Sequence, residues 1–334
     1  MKYITSAALA LLLAASSTWA KDGWEAPRTS FGDPDLQGVW TNATITPVER
    51  QDWMPNLVLS PQQAQMLEAR TREFAERGSA PTDPNEPAPP AGENVGGYNS
   101  FWIDAGTTVA KVNGEYRGSL IVDPPDGKLP YTQAANAKRF AMLRSIQQGL
   151  DGPEQRPLGE RCIVGFGSTS GPPMLPVLYN NNYQIVQAPG HVMILVEMNH
   201  DARVIRLGNE HPPDHVRTWF GDSIGRWEGD TLVVETTNFH PDQSMRACIR
   251  YQIYFSPDLK VIERFTRVAP DEILYEFTVD DPTAFTQTWR GEIPLRASEG
   301  PIYEYACHEG NYSLPGILAG ARSEEKTATS GGEE

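Results

Sequence analysis

The sequence predicts a mainly β protein, an antiparallel meander closing into a barrel or strongly bent sheet, with a few peripheral helices. Three observations carry this. The run from Gly221 to Phe239, GDSIGRWEGDTLVVETTNF, reads as two strands joined at a tight Gly229-Asp230 corner. After Cys162, alternating segments recur at Tyr183 to Ala188, Val192 to Met198, Arg203 to Leu207, Ser223 to Trp227, Thr231 to Phe239, Ile249 to Phe255, Lys260 to Val268, Ile273 to Asp280 and Phe285 to Pro294. Their connections are rich in turn residues (Pro189-Gly190, Asn199-His200-Asp201, Ser256-Pro257-Asp258, Pro270-Asp271) and short enough to exclude parallel crossovers. Consecutive antiparallel strands of this length tend to curl and close, which removes exposed edges. No internal repeat suggests a propeller.

The elements follow in order. Residues 1–20 carry Lys2, an apolar run from Ala7 to Ala15 and a small-residue Thr18-x-Ala20 site, the pattern of a secretory signal peptide. The apolar run is too short to span a bilayer, and no later stretch reaches the roughly 20 apolar residues a spanning helix needs. The expected location is periplasmic or secreted. Residues 21–77 form an entry strand and helix. The strand includes Leu36 to Trp40 and ends near Pro47, and Ser60-Pro61-Gln62-Gln63 supplies an N-cap, a first-turn proline and a capping Gln for a helix over Pro61 to Arg77. Residues 78–97 are Pro/Gly-rich and poor in large apolar side chains, the composition of an exposed loop or linker. Residues 98–322 make the β-rich barrel domain, packed with 21–77 as one unit. It includes a helix over Gln133 to Leu150 whose Phe140, Leu143 and Ile146 suit packing against a sheet. Residues 323–334 read as a disordered tail.

The chain has 334 residues and a formal net charge of −15. That length allows a sizeable core. That charge argues against nucleic acid and anionic membrane surfaces and leaves small neutral or apolar molecules as fitting partners. Cys162, Cys248 and Cys307 lack the Cys-x-x-Cys spacing of zinc or thiol redox sites. In an oxidising compartment one disulfide plus one free thiol is the economical reading, and a Cys162–Cys307 bond would tie the start of the β region to its end. Cys248, between Ala247 and Ile249, reads as buried rather than nucleophilic.

Candidate chemistry rests on carboxylates sharing a strand face with apolar residues. Glu235 alternates with Val233 and Phe239, and Glu197 with Met193 and Leu195; two such groups act as acid and base when their surroundings push their pKa values apart. Pairing with Arg206, Arg226 or Arg264 is the structural alternative. Glu276, Thr278 and Asp280 form a polar face that lines the interior if the barrel is wet and meets solvent if it is dry. His308, beside Cys307 and Glu309, is a candidate proton-transfer group. His211-Pro-Pro-Asp-His215 resembles paired metal ligands, yet its prolines preclude the helical i, i+4 arrangement, and no metal is expected. Tyr98, Trp102 and Trp219 occupy loop contexts from which aromatic rings cover an opening, and with Arg264 and Glu276 they form the expected ligand-binding set. No phosphate loop, dinucleotide fingerprint or Gly-x-Ser-x-Gly elbow is present, so no cofactor is expected.

Several segments together resemble a large family of exported bacterial proteins, mostly without assigned function. They are Gly38-Val39-Trp40-Thr41-Asn42, Ser119 to Gly127 (SLIVDPPDG), Arg156 to Cys162 (RPLGERC), Tyr179 to Gln187 (YNNNYQIVQ), GDSIGRWEGDTLVVETTNF, Glu263 to Val268 (ERFTRV) and Tyr303 to Tyr312 (YEYACHEGNY). In similar sequences cysteines accompany both the Gly-Glu-Arg-Cys and the Tyr-Ala-Cys-His segments, which favours the Cys162–Cys307 pairing. Met245 to Phe255 departs from the shorter, more polar passage of the family pattern; if it borders a site, a different ligand is implied. Gly38-x-Trp40 also looks like the Gly-x-Trp of lipocalins, whose barrels bind apolar molecules, an analogy of fold alone. The reading that results is an exported, lipocalin-like barrel that binds a small apolar or aromatic molecule. The alternative is a cofactor-independent lyase, isomerase or hydrolase using Glu197, Glu235 and His308.

Overall fold

A computed structural model describes residues 24–79, 85, 87, 103–167, 171–208, 210–249 and 251–330. The expected leader, most of the Pro/Gly-rich stretch, and the two loop aromatics Tyr98 and Trp102 lie outside the described residues. In chain order the elements are β1 (Gly38–Thr41), β2 (Val58–Leu59), α1 (Pro61–Gly78), β3 (Lys111–Val112), β4 (Glu115–Arg117), β5 (Ile121–Asp123), α2 (Gln133–Gln148), β6 (Asn182–Ala188), β7 (His191–Val196), β8 (Ala202–Leu207), β9 (Asp222–Glu228), β10 (Thr231–Thr237), β11 (Met245–Cys248), β12 (Tyr251–Tyr254), β13 (Lys260–Ala269), β14 (Glu272–Asp280), β15 (Trp289–Ala297) and α3 (Ser313–Ser330).

Nine strands close a barrel in the order β1-β6-β7-β8-β9-β10-β13-β14-β15, and β15 pairs back onto β1. The closing strand comes from the entry segment: Trp40 lies opposite Tyr183 on one side and Ala297 on the other. An odd ring cannot alternate strand direction throughout. One neighbouring pair must be parallel, and it is β8 with β9, Ile205 opposite Ser223. This corrects the all-antiparallel expectation, which assumed that every connection was short. The link between these two strands occupies residues 208–221, long enough to return the chain along the barrel.

Turn chemistry sets the other connections. Gly229 takes a φ of +63° at the first corner of the β9–β10 hairpin, a conformation that suits the strand twist and that side-chain-bearing residues avoid. Along each strand alternate residues point inward, so Tyr183, Ile194, Ile205, Leu232, Val234, Phe265, Tyr275, Phe277, Trp289 and Ile293 share one core with Trp40. Gly291 is required by close packing: a Cβ there would lie 2.2 Å from the Phe277 ring on the neighbouring strand.

Outside the barrel, β2, β4 and β3 form a small sheet. It lies against the outer face of β13 to β15, where Val112 packs with Val268 and Leu274, and Arg117 pairs with Glu292. Helix α1 has the expected capping box between Ser60 and Gln63 and buries Ala64 against Met54, Leu59 and Val109. Helix α2 starts where expected, but Phe140 is 48% exposed, whereas Ala135 and Met142 reach the core. Of the three residues expected to pack together, Phe140 lies toward solvent while Leu143 and Ile146 are half-buried. The last helix, α3, covers Ser313–Ser330 and includes most of the segment expected to be disordered. Arg322 secures it, donating to the Leu150 and Asp151 carbonyls.

Candidate functional site

One end of the barrel lies at Ser223, Thr236, Val261, Val279 and Trp289, which the strand register places side by side. Two pieces cover it. The β11–β12 hairpin, between the end of β10 and the start of β13, contributes Ile253 and Tyr254 to the core. Beside it runs the segment 171–177, whose Met174 and Leu175 are fully buried. The two are joined where Ile249 N–H donates to the Pro176 carbonyl and by a bridge from Gly167 to Ala247.

Beneath this cover the barrel is polar. Glu263, fully buried on β13, accepts two hydrogen bonds from Arg203 of β8 at 3.1 and 2.7 Å and a third from the Tyr275 hydroxyl at 2.9 Å. Tyr275 in turn accepts from the Met174 N–H at 3.0 Å, and Asn42 donates to both the Met174 carbonyl and the Tyr183 hydroxyl. Burial pushes both tyrosine hydroxyls well above their ordinary pKa, and the Glu263 charge adds to this at Tyr275. These phenols are therefore donors and acceptors rather than bases at neutral pH.

Arg246 of β11 completes the cluster. It is 2% exposed, lies 4.9 Å from the centroid of the Phe239 ring and 5.0 Å from that of Phe255, and donates through Nη1 to the Pro172 carbonyl. Among the described residues no carboxylate is bonded to it. Burial lowers its pKa to about 9, a fall opposed by the charge of Glu263 and by Tyr275. Its Nε and Nη2, together with Gln243 Oε1, Asn42 Oδ1, Arg203 Nε and Trp289 Nε1, are buried polar atoms without hydrogen-bond partners. Gly171 stands next to the other nitrogens of two of these side chains: a Cβ there would lie 3.8 Å from both Arg246 Nη1 and Gln243 Nε2, and 3.4 Å from Phe220.

The residues expected from sequence lie elsewhere. Glu197 is buried at the end of β7, with one oxygen accepting from Asn182 Nδ2 at 2.7 Å and the other from the Tyr303 N–H at 3.1 Å. Glu235 sits on the outer face of β10, because Leu232, Val234 and Thr236 take the inner one. There it lies 3.5 Å from His211 Nε2 and 4.0 Å from Lys260. His211 also contacts Asp222 at 2.8 Å, and Asp222 is held bidentately by Arg206. His308 is exposed in the turn after Cys307. Glu197, Glu235 and His308 share no bonding partner. Arg264 pairs with Glu228 at 2.9 Å. Glu276 faces outward between Arg264 and Glu292, and burial, then Glu292, raises its pKa. Trp219 stacks on His240 with centroids 4.0 Å apart, near the covered end.

Cys162 and Cys307 are disulfide-bonded with Cα atoms 5.7 Å apart, and Cys248 is free and buried. His215 is exposed and does not join His211, and among the described residues no group of three His, Cys, Asp or Glu side chains could hold a metal ion. An open groove of about 660 Å³ runs outside the barrel between Val39, Gln184 and Leu195 and the C-terminal residues 301–304. Its polar members His200 and Glu304 are exposed.

Glu263, Arg203 and Arg246 were missed, although the signal for two of them was present. Glu263 alternates with Val261 and Phe265, and Arg203 with Ile205 and Leu207, the same pattern that drew attention to Glu235. Arg246 carries no such alternation signal; it lies in Met245 to Phe255, the stretch that includes the covering hairpin. Fold and site together define a closed β-barrel with one covered polar end. No family model, no curated protein and no solved structure matches the chain.

Proposed function

We propose that the protein is an exported small-molecule-binding barrel whose ligand enters at the covered end, beneath the β11–β12 hairpin and the segment 171–177. One observation carries this reading: buried donors and acceptors from separate parts of the chain remain without partners around that end. A buried polar group left unbonded costs about 1–3 kcal/mol, and several of them around one location are explained by a molecule that bonds to them. The neighbouring aromatic rings Phe239, Phe255, Phe285 and Trp289 offer walls for an apolar or aromatic body. Export is supported by the disulfide and by the lack, among the described residues, of a helix long and apolar enough to cross a membrane. The acid-base alternative gains no support, since its three residues are not brought together.

Gly171 provides the test. A Cβ is accommodated at that position, whereas a longer side chain projects toward Arg246 and Gln243. The mature protein and its Gly171→Leu variant are incubated with a small-molecule extract of the source culture and examined by native mass spectrometry. A compound retained unchanged by the wild type and lost from the folded variant supports the reading. Equal retention by both places binding elsewhere and overturns it, and consumption of the compound with release of a product makes the protein an enzyme.

A further inference from the structure

Resting on that reading, we infer that the ligand is a monocarboxylate with an aromatic or flat apolar body, and that its carboxylate is taken by the Nε/Nη2 edge of Arg246. The guanidinium has one edge engaged, Nη1 donating to the Pro172 carbonyl, while Phe239 and Phe255 rings pack against it. What remains open is the edge carrying Nε–H and one N–H of Nη2. These two parallel donors are the pair that binds both oxygens of one carboxylate side-on, and neither has a partner.

Charge balance points the same way. Two guanidinium ions, Arg203 and Arg246, are buried near a single carboxylate, Glu263, and Arg203 already holds both of its oxygens. One positive charge is left without a bonded counterion in a region of low dielectric, and a monoanion neutralises it. A phosphate would bring extra charge and further oxygens against phenyl rings that cannot bond them. Arg50 serves as a contrast: its Nε and Nη2 are also unpartnered, but its guanidinium lies flat on a loop, so close to Gly127 that a Cβ there would be 2.9 Å from its Cζ. Arg50 braces that loop through the Pro125 carbonyl. Arg246 instead lies against the Phe239 and Phe255 rings, with Gly171 and the Gln243 amide on its Nη1 side, so its Nε/Nη2 edge is the part of the guanidinium with no bonding partner.

The test uses full-length mature protein and three matched pairs: benzoate and benzamide, 2-naphthoate and 2-naphthamide, 3-phenylpropanoate and its amide. Binding is followed by calorimetry and by the arginine Nε–H resonances in NMR spectra, with Arg246→Lys used to assign the Arg246 signal. At least one acid is expected to bind at least tenfold more tightly than its amide and to move the Arg246 Nε–H resonance. In Arg246→Gln the acid and amide are expected to bind alike. Amides that match their acids in the wild type, or acids that leave the Arg246 resonance in place, overturn the carboxylate assignment and leave small-molecule binding standing. Failure of all six compounds to bind overturns both. The wild-type resonance decides the matter even if Arg246→Gln does not fold.

Discussion

Replacing Glu263 by Gln isolates the charge that the barrel interior is built around. The amide keeps the size of the side chain and one acceptor oxygen, so the Tyr275 hydroxyl retains its 2.9 Å partner. What is lost is the second acceptor and the negative charge facing Arg203, which is only 5% exposed. Removing one member of a buried pair leaves the other desolvated and uncompensated, at a cost of about 3–5 kcal/mol. Removing both is far cheaper, so Arg203→Met combined with Glu263→Gln is expected to recover most of that loss. The assay is urea denaturation with the disulfide intact, read by tryptophan fluorescence and by circular dichroism, with unchanged slopes confirming that stability alone has moved. Should Glu263→Gln cost under about 1 kcal/mol, or the double variant be no more stable than the single one, the ion pair is not the organising contact of the interior.

Four further outcomes follow from the same structure. Gly291→Ala drives a methyl group into the Phe277 ring and is expected to cost about 1–3 kcal/mol in the same denaturation assay, against little change for Ala at the open position Gly300. The Cys162–Cys307 bond spans 145 residues, so reduction, or Cys162→Ser with Cys307→Ser, is expected to lower stability by up to about 5 kcal/mol, measured as a fall in the urea midpoint. Burial raises the Asp201 carboxyl to about 7, so between its unfolded value and pH 7 the folded state holds the extra proton. Stability therefore falls as pH rises through that window, and Asp201→Asn is expected to flatten the decline in melting temperature between pH 4 and pH 7. The Cys248 thiol is buried and its pKa is pushed up by desolvation, so it is expected to resist iodoacetamide in the native protein and to react on unfolding.

The β elements were legible because a period of two is a strong local signal, and Asp222–Glu228 with Thr231–Thr237 form the expected hairpin. What local signals omit is which face turns inward. Glu235 and Phe239 have the same parity on paper, yet Asn238 takes a left-handed φ of +57° that breaks the alternation, so Phe239 enters the core while Glu235 stays outside. The closing strand was hidden for a different reason. Gly38–Thr41 pairs with residues more than a hundred positions away, and nothing within a four-residue strand announces partners at that distance. The Cys162–Cys307 bond is one of three pairings that three cysteines allow, and it was the resemblance, with cysteines in both segments, that favoured it. Arg246 was not legible, because a guanidinium on a short hairpin reads as solvated until a barrel end lies beneath it.

The parallel step and the candidate site are connected. A ring of nine strands must contain one parallel pair, and a parallel pair requires a long return connection, here residues 208–221 between β8 and β9. That return is anchored at the covered end, where Thr218 N–H donates to the Asn238 carbonyl and Trp219 stacks on His240. The next residue, Phe220, stands against Gly171, which lies beside Arg246 Nη1 and Gln243 Nε2. Trp219, expected from its loop context to cover an opening, lies on this return connection. The connection demanded by an odd strand number thus runs to the covered end, where Trp219 lies against His240 and Phe220 against Gly171.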